Sequence, residues 1–160
     1  MSNIVVVDTS IAIKWVVEEV DSDIAGSLLT KWFTEETTVL APILLAYEMT
    51  NVLYQRIRRG VISLNEAEQL LSYVLLKAVK FDTSYNYALS LRATRLAHQF
   101  SLLATYDAHY LALAESKNCE LWTADTRLLR AVGDKLSWVR TLDDYHSLTK
   151  EQTEGKDETL

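Results

Sequence analysis

The sequence predicts an α/β domain with a mostly parallel central sheet. Three observations predict it. Short β-branched or apolar runs, NIVVVD, TTVLAP and CELWTA, have the length of buried strands. Each is followed by a segment of helical periodicity, the alternation that builds a parallel sheet. And 160 residues that are 49% hydrophobic, with four Gly and one Pro, can form one ordinary core without long linkers.

Residues 3–8 are the first strand, which ends in Asp8, and Thr9 or Ser10 can cap the following helix, IAIKWVV. A second helix covers about 22–35, with Leu28, Leu29, Trp32 and Phe33 on one face. Residues 37–42 are the second strand, and Pro42 suits the first turn of the next helix. That helix, about 43–59, carries Glu48 and ends in RIRRG, with cations near its C-terminus and Gly60 as the stop. Ser63 and Glu66 have capping-box spacing and open a helix over about 64–78. VKFD (79–82) is a short strand or an extended link. Helices over about 84–99 and 107–116 precede a strand at 119–124, a helix at 125–133 and a last strand at 137–140. One domain is expected over 1–148, with 149–160 as an acidic tail.

Composition sets limits on function. No apolar run approaches the roughly 18–20 residues of a membrane span. The start, MSNIVVVD, lacks the basic segment of a signal peptide. Cys119 is the single cysteine, which excludes an internal disulfide and fits a reducing cytoplasm. The net charge of −6 is uneven: residues 151–160 hold four acids and one base, which leaves 18 acids against 15 bases elsewhere. Two bound divalent cations would bring that body to about neutrality, so an RNA partner is not excluded.

Four acids stand where acids are costly. Glu48 shares a helical face with Leu44, Leu45 and Val52, and it either rolls to solvent, pairs with an arginine or serves a site. Asp8 ends a strand, Asp107 has Leu111 and Ala114 on its face, and Asp125 sits at a strand-to-helix joint. For these three the local alternative is helix capping. One arrangement accounts for all four: carboxylates gathered around hard divalent cations, which prefer oxygen ligands. Such a cluster repels itself and should hold at least one carboxyl above its ordinary pKa. His98, His109 and His146 lack zinc-ligand spacing and read as surface or packing residues.

The stretches that carry these acids, VVVDTSIAIKW, YEMTNVL, TYDAHYLALAE and LWTADTRLL, resemble, in that order, the four acidic motifs of PIN-domain ribonucleases. Within that family the chain is similar to the VapC toxins of bacterial toxin–antitoxin pairs, over about residues 3–141. The resemblance implies a three-layer α/β/α sandwich and an endoribonuclease dependent on two Mg²⁺ or Mn²⁺ ions. It implies Asp8, Glu48, Asp107 and Asp125 as the catalytic, metal-binding quartet, with Thr9, Ser10, Asn51 and Thr123 orienting acids or waters. It further implies a homodimer restrained by a small antitoxin. Paired cations clamp the attacking and leaving oxygens of a phosphodiester, so few other catalytic groups are needed.

RNA also needs cationic rails. Arg127, two residues after Asp125, is the first candidate, followed by Lys14 and Arg56. The RIRRG group is equally a solvated helix end. Tyr106 and Tyr110 either stack a base or pack in the core or a dimer interface. Among rivals, a haloacid-dehalogenase-like phosphohydrolase wants a second acid that Asp8-Thr9-Ser10 does not supply. A response-regulator receiver domain wants an acid pair after its first strand and a central acceptor Asp, neither of which is visible. The alternative that survives is a catalytically silent PIN-like module that binds RNA or protein.

Overall fold

The structure is a computed structural model that describes residues 3–84 and 86–157, with 151–157 as backbone only. Five parallel strands form the sheet: β1 (Ile4–Val7), β2 (Thr38–Pro42), β3 (Lys80–Asp82), β4 (Glu120–Trp122) and β5 (Val139–Arg140), in the order β3-β2-β1-β4-β5. β1 is central and pairs through Val5 with Val39 and through Val6 with Leu121. Its three valines are buried, as a strand covered on both faces requires. The chain steps outward from β1 to β3, then returns to lay β4 on the other side of β1. Right-handed crossovers therefore place the first and second groups of helices on opposite faces, which gives the three layers. The strand order reverses between β1 and β4, and beyond the carboxyl ends of strands at such a point an open α/β sheet binds its ligand.

Asp8, rather than Thr9 or Ser10, caps α1 (Thr9–Ala12), which tightens into a 3₁₀ turn over Ile13–Trp15. α2 (Ser22–Thr34) buries Leu28, Leu29 and Trp32, while Phe33 turns outward. Trp32 meets Trp122 of β4 edge to face, centroids 5.6 Å apart. α3 (Leu44–Arg58) buries Leu45, Met49 and Leu53, a stripe at four-residue spacing, and Gly60 follows it with φ +70, a left-handed value that suits glycine. α4 (Leu64–Tyr73) opens with the expected capping box: Ser63 Oγ accepts from Glu66 N at 3.1 Å, and Glu66 Oε2 accepts from Ser63 N at 2.7 Å. It runs on as a π-helical turn over Val74–Ala78. Ser63→Ala should lower stability by about 1 kcal/mol, read as a urea midpoint, and leave the acidic site untouched.

α5 (Tyr87–Gln99) packs on α6 (Tyr106–Lys117), which crosses β1, β2 and β4. From Tyr110 to Ala114 every residue of α6 is buried, so this helix is enclosed nearly all round and its N-terminal turn is fixed at the rim of the sheet. α7 (Thr126–Val132) follows β4. After β5 comes α8 (Leu142–Asp157), so residues 149–157 continue a helix where a tail was expected. Thr141 and Asp144 cap it reciprocally: Thr141 N donates to Asp144 Oδ2 at 2.7 Å and Asp144 N to Thr141 Oγ1 at 3.3 Å. Leu142 and Tyr145 then bury against α2, where the Tyr145 hydroxyl meets Ser27 Oγ at 3.1 Å. Among the described residues no helix is long and apolar enough to cross a membrane.

Candidate active site

β1 delivers Asp8 to the sheet rim, 6% exposed. Its Oδ1 accepts from Ile11 N at 3.3 Å and Ser10 Oγ at 2.5 Å, and its Oδ2 accepts from Thr123 Oγ1. The two hydroxyls are pinned from β4's side: Ser10 Oγ accepts from Ala124 N at 2.8 Å, and Thr123 Oγ1 from Asp125 N at 3.0 Å. Ser10 and Thr123 thus stitch the end of β1 to the end of β4. Burial pushes the Asp8 carboxyl up to about 7, against the pull of these hydrogen bonds, and the charge of Asp107 adds to the rise.

Glu48 is half-buried on α3, and its Oε1 accepts from the Tyr110 hydroxyl at 2.5 Å. Burial raises its pKa, and Asp107 and Asp125 raise it further. Asp107 lies in the first turn of α6. The capping position there is Thr105, whose side chain makes no capping bond, so Asp107 does not cap this helix. Its carboxyl is pushed up by burial and by Asp125, with Arg127 opposing. Asp125 does cap α7: Oδ1 accepts from Arg127 N at 2.8 Å and Leu128 N at 3.3 Å, while among the described residues no hydrogen bond reaches Oδ2. The mutual electrostatic influence of Asp8, Glu48, Asp107 and Asp125 places the four on one rim, at the switch point between β1 and β4. Among the described residues, no Lys or Arg approaches Asp8, Glu48 or Asp107 within salt-bridge distance.

The other expected residues divide. Thr9, Ser10 and Thr123 join the acids, Thr9 through its hydroxyl 3.1 Å from that of Tyr110. Asn51 is exposed and stands outside this network. Lys14 and Arg56, expected as rails for RNA, both pair with Glu19, at 3.5 and 2.7 Å. Arg127 is 81% exposed and pairs with Asp125 Oδ1 at 3.9 Å. Tyr106 is exposed, whereas Tyr110 is buried with its hydroxyl on Glu48, a bond that excludes it as a stacking platform. Residue type and the three-residue spacing from Asp107 are the signals in the sequence that bear on the contact between Tyr110 and Glu48. A cleft of about 700 Å³ opens toward the amino ends of the strands, near Asn3, Thr37 and Cys119, away from the acids.

A hard cation fits this donor set. All four side chains offer oxygen, and three have their charged form disfavoured by burial and like charge, a cost that a cation relieves. No three Asp, Glu, His or Cys side chains among the described residues are already drawn into a closed cage. Mutual repulsion of like charges opposes such closure.

A family model for the PIN domain matches residues 5–134, which include every one of these acids. The chain belongs to the PIN domain family. Solved structures share the fold of this PIN domain. PAE2754 from Pyrobaculum aerophilum is 23% identical, with a TM-score of 0.65 over 88% of this chain and 90% of that one. VapC20 from Mycobacterium tuberculosis, described as a sarcin-ricin loop cleaving toxin, is 18% identical, with a TM-score of 0.60 over 81% and 95%. VapBC2 from Rickettsia felis, bound to a DNA fragment from its promoter, is 12% identical, with a TM-score of 0.60 over 86% and 98%. At these identities the likeness is one of fold. The sequence has no match among curated proteins.

Proposed function

We propose that the protein is a divalent-cation-dependent endoribonuclease and the toxin of a toxin–antitoxin pair. The observation that carries the nuclease reading is the acid quartet at the switch point, three of whose members are buried or half-buried with no basic residue in ion-pair contact. Asp8, Glu48, Asp107 and Asp125 would hold Mg²⁺ or Mn²⁺. A bound ion would supply a Lewis acid for the scissile phosphate and lower the pKa of the attacking water. The chain's own groups do the rest. Ser10 of α1 and Thr123, just after β4, fix the Asp8 carboxylate by hydrogen bonds. Asp125 offers its unbonded Oδ2, and exposed Arg127 meets the RNA backbone beside it. Support for the toxin role comes from the VapC-like order of the motifs and from the fold shared with VapC20 and VapBC2. By the same analogy the protein acts as a homodimer in the cytoplasm and is restrained by a small antitoxin.

The test is cleavage of single-stranded RNA by the purified protein in EDTA, Mg²⁺ and Mn²⁺. Cleavage is expected with a cation and absent in EDTA. Turnover in EDTA at the same rate would end the metal reading, and RNA binding without turnover in any cation would make this a silent module. Expression should arrest growth, with rescue by the product of an adjacent short reading frame. Arg127→Ala should lower kcat/KM by about 10-fold, mostly through KM, and make the logarithmic salt dependence shallower by about one. An unchanged salt slope would place Arg127 off the RNA path.

A further inference from the structure

Tyr110 is 1% exposed, yet its hydroxyl is not spent on the core. It reaches Glu48 Oε1 at 2.5 Å and lies 3.1 Å from Thr9 Oγ1. A carboxylate can only accept, so the phenol donates to Glu48 and Thr9 donates to the phenol. One buried oxygen therefore joins three elements: α1 next to Asp8, α3 through Glu48, and α6 one turn after Asp107. Glu48 needs such a tether. It is half-buried, carries several rotatable bonds, and faces the like charges of Asp107 and Asp125 with no Lys or Arg in ion-pair contact among the described residues. Repulsion drives the free carboxylate toward solvent, and the phenol holds it back at the rim.

We propose that Tyr110 is a positioning residue, which aims the Glu48 carboxylate at the cation site and couples it to the Asp8 and Asp107 helices. The proposal rests on the metal-dependent reading above and adds to it a group that touches neither cation nor RNA. Partners that orient a ligand typically contribute 10–100-fold in metal affinity or activity. The helix register explains why a tyrosine serves. Residue 110 lies three after Asp107, on the same face of α6, and only a long rigid side chain carries a donor from that buried helix to α3.

The experiment titrates Mn²⁺ itself, by calorimetry, into the parent, Tyr110→Phe, Glu48→Gln and the double variant. Tyr110→Phe removes one oxygen and leaves the ring, so the fold is retained, and metal-free melting verifies it. Its dissociation constant for Mn²⁺ should rise about 10–100-fold, with kcat recovering toward the parent value as Mn²⁺ saturates. In the Glu48→Gln background the same change should have much less effect, because the negative charge that Tyr110 holds in place is gone. Thr9→Val, which removes the hydroxyl that meets both the phenol and Glu48, should weaken Mn²⁺ binding in the same direction. If the parent binds Mn²⁺ and Tyr110→Phe binds it equally well, or loses as much with Glu48→Gln present, the positioning role is overturned and the nuclease reading stands. If the parent itself binds no Mn²⁺, both fall.

Discussion

Asp107→Asn should lower RNA cleavage by about 10²–10³-fold at saturating Mg²⁺, more than the roughly 10–100-fold typical of residues that only orient a ligand. Among the four acids it is the cleanest to replace. Asp8 and Asp125 each cap a helix as well as facing the site, so their substitution alters local hydrogen bonding and stability along with the chemistry. Asp107 sits inside the first turn of α6 with no capping bond, and its carboxyl is held up by burial and by Asp125. An amide there removes one negative charge and hardly alters shape. Thermal melting should therefore be unchanged or slightly raised, while single-turnover cleavage nearly vanishes and Mn²⁺ binds more weakly. A variant that cleaved at the parent rate would remove Asp107 from the mechanism and leave three acids too few to explain the rim.

Much of the frame was legible because β-branched runs such as NIVVVD have few other stable uses, and because Ser63 with Glu66 and Gly60 after RIRRG are local signals read by local geometry. α8 is hard to read in the sequence for a physical reason. The acidity of 151–160 suggests a solvated tail, while the relevant signal lay upstream: Thr141 and Asp144 at capping spacing, then Leu142 and Tyr145 to bury. Asp8 and Asp125 can be placed on one rim from the sequence because both follow strands, whereas Glu48 and Asp107 stand out only as acids that break apolar helix faces and through the family motifs. The capping alternatives for Asp8 and Asp125 also hold. In each case the carboxylate caps its helix, and in Asp125 the second oxygen remains unbonded.

What stayed hidden depends on contacts between distant segments. That Lys14 and Arg56 share one partner, Glu19, is not visible along the chain. Asn51 follows Glu48 by three residues, and only the roll of α3 decides that it faces solvent. Tyr110 reads as an apolar-face aromatic until the fold sets its hydroxyl against Glu48, 62 residues away.

Asp8→Asn should abolish activity and yet stabilise the metal-free protein at alkaline pH. Burial moves the Asp8 carboxyl from its ordinary 3.8 to about 7. Between those values the folded state keeps a proton that the unfolded chain has released, so stability is greatest below about 4 and is lost as pH rises through 7. Glu48 and Asp107 shift in the same direction and deepen the loss. Keeping Asp8 ionised at pH 8 costs on the order of 4 kcal/mol at one pKa unit per 1.36 kcal/mol. Asparagine escapes that cost. It can still accept from Ile11 N and Ser10, and the Thr123 hydroxyl can turn to accept from the amide. Allowing for imperfect replacement of these bonds, a net gain of about 2 kcal/mol is expected, or about 4–8 °C in melting temperature for a domain of this size. The carboxyls held low by their partners, Glu66 by Ser63 and Glu115 by Arg92, are present in both proteins and cancel in the comparison. In EDTA, the parent should melt at a higher temperature at pH 5 than at pH 8, and Asp8→Asn should flatten that slope. Mn²⁺ at pH 8 should raise the parent's melting temperature and barely move the variant's. If Asp8→Asn melted at or below the parent at pH 8 without metal, the buried charge would not be a cost to the fold. A divalent ion would then have no debt at Asp8 to relieve, and the electrostatic reason for a cation at this rim would lose its strongest member.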